Sequence, residues 1–251
     1  MIDTHCHLDS CSVPEAVDDG LTAIVSIGTD AASCRRTVAL TEQHPTVWAA
    51  LGVHPNSADE ATAETRAVIA ALAAHPRVVG VGETGFDDYW DKVPLEVQLE
   101  VFFWHAELAK RLDKPLVLHV RDKPQQESAS VMARDAILKA GHPKGILHCC
   151  NAHEGLVEAG LALGWYVSFA GNLTHKSAKN LQAAARALPE DRLLVETDSP
   201  YLAPEPKRGR RNVPANVRYT AAFLAELRGT DLARLEPILD CNARTVYGLP
   251  G

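Results

Sequence analysis

His5-Cys6-His7 stands four residues into the chain. Met1-Ile2-Asp3-Thr4 reads as a short strand, and a strand turns residues i and i+2 to one face. His5 and His7 then reach one point, with Cys6 turned away to pack. Two imidazoles at a strand end can grip a divalent cation. Four further ionisable residues close apolar runs: Glu83 in Val81-Gly82-Glu83-Thr84-Gly85, His119 after Leu116-Val117-Leu118, His148 after Ile146-Leu147, and Asp198 in Glu196-Thr197-Asp198-Ser199-Pro200. Apolar strands do not usually finish in ionisable groups without a partner, because burying an unpaired charge is costly.

Four histidines and two carboxylates exceed what one tetrahedral zinc needs. They suit two divalent cations sharing a carboxylate, roughly 3.5–4 Å apart, an arrangement that stabilises both attacking and leaving oxygens at phosphorus. The expected assignment places His5, His7 and Asp198 on one cation, His119 and His148 on the other, and Glu83 between them. Asp198 is also expected to orient the attacking water and take its proton. Mg, Mn, Zn and Fe all accept such mixed ligands, although four histidines disfavour a pure Mg or Ca site.

The elements that must position these residues can be read from periodicity. Eight apolar runs suggest strands: Ile2–His5, Ala23–Ile27, Val47–Leu51, Val78–Gly82, Leu116–His119, Gly145–His148, Tyr166–Phe169 and Leu193–Glu196. They lack a polar alternate face, as strands covered on both sides do. Helical patterns fall at Ala63–Ala74, Leu95–Leu112, Ala129–Ala140 and Ala178–Leu188, then at about Ala215–Arg228 and Asp231–Tyr247. Leu95, Leu99, Phe102, Phe103, Ala106 and Ala109 form the stripe of the longest, with Pro94 suited to its first turn. Strands alternating with helices over 251 residues predict a (β/α)₈ TIM barrel forming a single domain. A doubly wound sheet that bound a dinucleotide would carry a Gly-rich turn after its first strand; here His-Cys-His follows instead.

In such a barrel the C-terminal ends of the strands converge on one mouth. The His-Pro dipeptides act as an internal control. His44-Pro45, His75-Pro76 and His142-Pro143 precede strands and belong to turns at the floor, whereas His54-Pro55 follows one and faces the mouth, where it suits substrate or an extra metal. His105 lies inside a helix and reads as packing. The six cysteines show no CxxC pair and read as reduced thiols, with Cys149 and Cys150 on opposite faces of a strand. A net charge of −7 argues against a general nucleic-acid coat or a membrane-surface protein. No charged-then-apolar leader and no long apolar run appears, so a cytoplasmic protein without a membrane partner is expected.

Asp3-Thr4-His5-Cys6-His7-Leu8-Asp9, Gly52-Val53-His54-Pro55, Gly82-Glu83-Thr84-Gly85, Leu118-His119-Val120-Arg121, His148-Cys149, Glu196-Thr197-Asp198-Ser199-Pro200-Tyr201-Leu202 and Asn242-Ala243-Arg244 together resemble the TatD family of metal-dependent deoxyribonucleases. That family belongs to the amidohydrolase-like barrels. The likeness runs from His5 to about Gly248. It implies a divalent-metal-dependent exonuclease acting on DNA from a 3′ end, with the same six ligands and a role in repair. Three departures bear on the substrate cleft: Phe86 where Leu is usual, Cys149-Cys150-Asn151 where Phe-Ser-Gly is common, and Val213 in place of Glu in Arg211-Asn212-Val213-Pro214.

An acidic protein can still hold DNA locally. Lys207-Arg208-Gly209-Arg210-Arg211 is the densest basic cluster and starts close to Asp198. Phosphate contacts need local charge, not a basic whole. Arg211 and Arg121 are the phosphate candidates, and Tyr201, Phe86, Tyr89 and Trp90 the aromatics that could stack on bases of single-stranded or frayed ends. The competing enzyme reading is hydrolysis at a carbonyl centre, such as an aminoacyl-tRNA ester or a cyclic amide. The competing non-enzymatic reading is a barrel kept as a binding scaffold around a structural metal. No protein partner can be inferred.

Overall fold

The computed structural model describes residues 1–18 and 20–250. Eight parallel strands lie side by side in chain order: β1 (Ile2–Cys6), β2 (Ala23–Gly28), β3 (Val47–Leu51), β4 (Val78–Asp87), β5 (Leu116–Arg121), β6 (Gly145–Leu147), β7 (Tyr166–Phe169) and β8 (Leu193–Val195). Between and after them run α1 (Val13–Asp18), α2 (Ala31–Gln43), α3 (Ala63–Ala73), α4 (Leu95–Leu112), α5 (Ser128–Ala140), α6 (Glu154–Ala162), α7 (Lys179–Ala187), α8 (Val217–Leu227) and α9 (Leu232–Tyr247). This is the (β/α)₈ barrel.

The strands are apolar on both faces because both faces are covered. Ile24, Leu51, Val81, Leu116, Leu118 and Val195 pack with the helices in the outer layer. Ile2, Val25, Ile27, Val117, Ile146 and Leu194 fill the inside of the barrel, where Val246 and Tyr247 from the end of α9 close the floor. The Tyr247 hydroxyl donates to the Thr4 carbonyl at 3.0 Å, so the plug is also hydrogen-bonded to β1.

Three local readings change. α4 buries Gln98, Val101, Phe102, His105, Ala106, Leu108 and Ala109, while Leu95, Leu99 and Phe103 at its edge are only partly buried. Pro94 caps that helix instead of sitting in its first turn (φ −56°, ψ 143°). Cys149 and Cys150 lie beyond β6, not on opposite faces of a strand. Cys149 has φ 43°, which breaks the strand, and its N–H donates to Glu196 Oε1 at 2.9 Å.

Candidate metal centre

The site begins at the seam between the first and last strands. The buried Asp3 carboxylate accepts from Thr197 N at 2.9 Å and from Thr197 Oγ1 at 2.6 Å. The Thr4 hydroxyl donates to Val195 O at 2.8 Å. Main-chain bonds Asp198 N to His5 O (2.9 Å) and His7 N to Ser199 O (2.8 Å) complete the closure. The contacts that close the barrel here therefore bring His5, His7 and Asp198 together. Asp198 takes a left-handed φ of 53°, which Asp tolerates better than most residues. Cys6 is buried in the outer layer, as the alternation requires.

Glu83 is the centre of the cluster. Its Oε2 lies 3.5 Å from His5 Nε2 and 3.8 Å from His7 Nε2. Its Oε1 lies 2.7 Å from His119 Nδ1, 3.3 Å from His148 Nε2 and 3.7 Å from His54 Nε2. His7 Nε2 also lies 3.4 Å from Asp198 Oδ1. The flanking glycines explain how a glutamate comes to sit there. Gly82 and Gly85 have φ of 129° and 141°, and a Cβ on either would strike a β5 carbonyl, that of Val117 or of His119. The β4–β5 register shifts between Gly82 and Thr84, a local bulge at Glu83 itself.

Four residues that support this cluster were not assigned from the sequence. Glu196 Oε1 lies 2.8 Å from His148 Nδ1 and orients that ring. Asp87 closes β4 and sets Oδ2 3.3 Å from His119 Nε2. Gln98, buried on α4, bonds both main-chain groups of Asp87. Asn56 donates to Asp87 Oδ2 at 3.0 Å. Glu196 was visible in its motif. Asp87 was hidden because Gly-Glu-Thr-Gly reads as a turn, yet β4 runs on through it.

The electrostatics favour a cation. Burial pushes the Glu83 carboxyl up, but His148, His119 and His5 outweigh it and hold it well below the usual carboxylate range. Asp198 is likewise lowered against its burial, by His7 and His148. Burial pulls His148 down, yet Glu196 and Glu83 raise it well above its ordinary value. His119 is raised against burial to about 9 by Asp87 and Glu83. Protons on these two rings thus balance the carboxylates in the metal-free protein. Even so, buried His5 Nε2 and Glu83 Oε2 have no hydrogen-bond partner. Each of the sets His5/His7/Asp198, His5/Glu83/His148 and His54/Glu83/His119 brings its ligand atoms within 4.8 Å of one another. Orphaned imidazole nitrogens facing an orphaned carboxylate oxygen fit a divalent metal.

His54 behaves differently from the others. Burial lowers it to about 4, so its ring is neutral. Its Nδ1 accepts from Asn56 N at 3.1 Å, which leaves the proton on Nε2. His105, fully buried, accepts from Val53 N at 3.0 Å and so supports the segment that carries His54. Of the other substrate candidates, Tyr201 is 61% exposed, with its ring 6.0 Å from that of His7. Arg121 is exposed beside Tyr89. Arg211 is exposed, but its Nη2 donates to Ser10 O. Phe86 does not line the mouth; it is fully buried against Phe102.

Histidines at or just beyond the ends of β1, β3, β5 and β6 face the Glu83 carboxylate of β4, with Asp198 beside His7, and these candidate ligands at the end of the barrel where this fold does its chemistry fit a metal-dependent hydrolase. The chain belongs to the TatD-related DNase family, whose profile matches residues 2–248. A Mycobacterium tuberculosis protein described as an uncharacterized metal-dependent hydrolase, TatD, is 38% identical over 265 residues, covering 99% of this chain and 98% of the relative. A 3′-5′ ssDNA/RNA exonuclease TatD from Erwinia billingiae is 33% identical over 244 residues, covering 95% of this chain and 92% of its own. The crystal structure of YjjV, a TatD homolog from Escherichia coli K12, matches with a TM-score of 0.87 at 27% identity, covering 100% of this chain and 98% of that one. No helix among the described residues is long and apolar enough to cross a membrane.

Proposed function

We propose that the chain is a divalent-metal-dependent deoxyribonuclease that removes nucleotides from the 3′ end of single-stranded or frayed DNA. The observation that carries this reading is Glu83, whose two oxygens face two different groups of histidines. His5, His7 and Asp198 would hold one cation and His119 and His148 a second, with Glu83 shared. Two such cations supply charge neutralisation at the phosphodiester and a water acidic enough to attack at neutral pH.

The chain's own residues do the rest. Asp198, ionised and only partly buried, accepts the proton of the attacking water. His54 offers its Nε2 proton to a phosphate oxygen, because its Nδ1 is committed to Asn56. Glu196 and Asp87 fix the rings of His148 and His119. Arg211 and Arg121 add positive charge at the rim of an acidic protein, and Tyr201 stands beside His7. The name of the Erwinia relative, an exonuclease of single strands, supports the substrate and the polarity.

The test is digestion of single-stranded DNA labelled at either end, after chelation and separate re-addition of Mg, Mn and Zn. A ladder shortening from the 3′ end, absent in Asp198→Asn, is the expected result. Intact DNA with every metal, alongside cleavage of an aminoacyl-tRNA ester or cyclic amide, would overturn it.

A further inference from the structure

The segment from Asp87, whose carboxylate faces His119, to Val93 displays two aromatic rings and is tied by several hydrogen bonds. Asp87 Oδ1 accepts from Tyr89 N at 2.9 Å and from Trp90 N at 3.4 Å. The Gln98 side chain bonds both main-chain groups of Asp87 and also reaches Val93 O at 2.7 Å. One glutamine thus anchors both ends of the loop. Lys123 lies 3.2 Å from both Asp88 and Asp91, so its single charge offsets part of the loop's two remaining carboxylates.

On this loop the Tyr89 and Trp90 rings meet edge to face at 4.9 Å. Trp90 is 55% exposed, whereas Trp165 is fully buried and Trp48 and Trp104 are partly buried. The Arg121 guanidinium lies 3.8 Å from the Tyr89 ring centre and 5.4 Å from that of Trp90. Among the described residues the Arg121 guanidinium makes no hydrogen bond and no ion pair, although its main-chain carbonyl accepts from Asp88 N. An arginine held by a ring keeps its N–H donors for a ligand, and those donors match a phosphate. Arg121 is also near the chemistry. It pairs with Asp87 in the β4–β5 ladder and lies two residues beyond His119, about 7 Å along a strand.

Resting on the nuclease reading, we propose that Trp90, Tyr89 and Arg121 form a subsite for the nucleotide next to the cleaved bond. Its base stacks on the exposed indole and its phosphate takes the guanidinium. A π-face grips any base without reading its identity, and a base inside a duplex is already stacked on its neighbours. The subsite therefore selects unpaired ends, and it lets a protein of net charge −7 hold DNA by a local contact.

The test compares octathymidylate with an octamer of abasic sites carrying the same phosphates, in chelator so that nothing is cut. No proposed metal ligand belongs to the platform, so its grip survives chelation. Wild type is expected to bind octathymidylate about tenfold more tightly, with quenched indole emission. Trp90→Leu is expected to bind both alike without the quench. Trp90→Phe should restore part of the preference, and Arg121→Gln should weaken both oligomers equally. Thermal unfolding and metal content serve as checks on folding. Retention of the preference by Trp90→Leu, or no binding of either oligomer, overturns the subsite. If the metal-loaded enzyme still shortens single-stranded DNA, the nuclease reading survives that failure; if it does not, both fall.

Discussion

The floor and the mouth of the barrel use the same residue types to opposite ends. At the floor, polar side chains satisfy the main chain. His142 Nε2 donates to Lys114 O at 2.9 Å, Lys114 Nζ donates to Ala73 O, and Arg77 reaches the carbonyls of His44, Pro45 and Val47. The floor also has a cavity of about 490 Å³, lined by Trp48, Pro115, Gly145, Tyr166 and Gly248 among others. None of the clustered ligand sets among the described residues lies there. At the mouth, buried His5 Nε2, Glu83 Oε2 and Glu196 Oε2 are left without hydrogen-bond partners. An unsatisfied buried polar group costs about 1–3 kcal/mol. His5 Nε2 and Glu83 Oε2, facing each other at 3.5 Å, mark a site better than an isolated orphan such as Arg77 Nε at the floor or the size of a hollow does.

The largest expected effect comes from removing the charge shared by the whole mouth. Glu83→Gln should lower kcat/KM on single-stranded DNA by about a thousandfold, since one electrostatic group in such a site is worth several kcal/mol. Bound metal, measured by elemental analysis, should fall with it. Full metal and full activity in this variant would erase the contrast between the two ends. Glu196→Gln should loosen His148 and the Cys149 main chain that share its Oε1, and weaken metal affinity by about 10–100-fold, read by competition with a chelating dye.

A matched pair of histidines sharpens the comparison further. His54→Ala and His142→Ala each remove one ring that bonds the main chain. Both should lower stability by about 1–2 kcal/mol in denaturant titration. Only His54→Ala should also lose activity, by about 10–100-fold, the range for losing one hydrogen bond to a charged phosphate oxygen. Equal activity in the two variants would take His54 out of the mouth's chemistry.

The last expected effect is a dependence on pH. His119, at about 9, and His148 hold protons in the neutral metal-free protein, and a cation must displace them. Metal affinity should therefore rise with pH up to about 9, by about tenfold per unit for each proton displaced. The raised value of His119 also stabilises the metal-free fold. That contribution is complete below His119's unfolded value of about 6.5 and is lost as pH rises through about 9. Titrations at pH 6.5 and 8 check the direction.

The sequence made much of this architecture legible because apolar runs and helical stripes are local signals. The bounds of β3, β7 and α4 agree with the periodicity residue for residue. α1, α2 and α6 have no counterpart among the expected helices, though Asp30 caps α2 and His153 caps α6. The buried faces of α2 and α6 are mostly small or polar, with Ser33, Cys34, Thr37 and Thr41 in α2 and Ala159 and Gly160 in α6. β4 was cut short at Gly82 because positive-φ glycines mimic a turn. At the site, residues ending apolar strands could be named from their position alone. Asp87, Gln98 and Asn56 could not, because their roles depend on how β4, α4 and the β3–α3 loop meet in space.

The most direct test of two cations shared by Glu83 is a crystal soaked in manganese, with anomalous diffraction recorded at the metal edge. The account predicts two peaks at the mouth, one on each side of the Glu83 carboxylate, and none at the floor. A mouth without a peak at saturating manganese, or one peak that leaves Glu83 unligated, would contradict it.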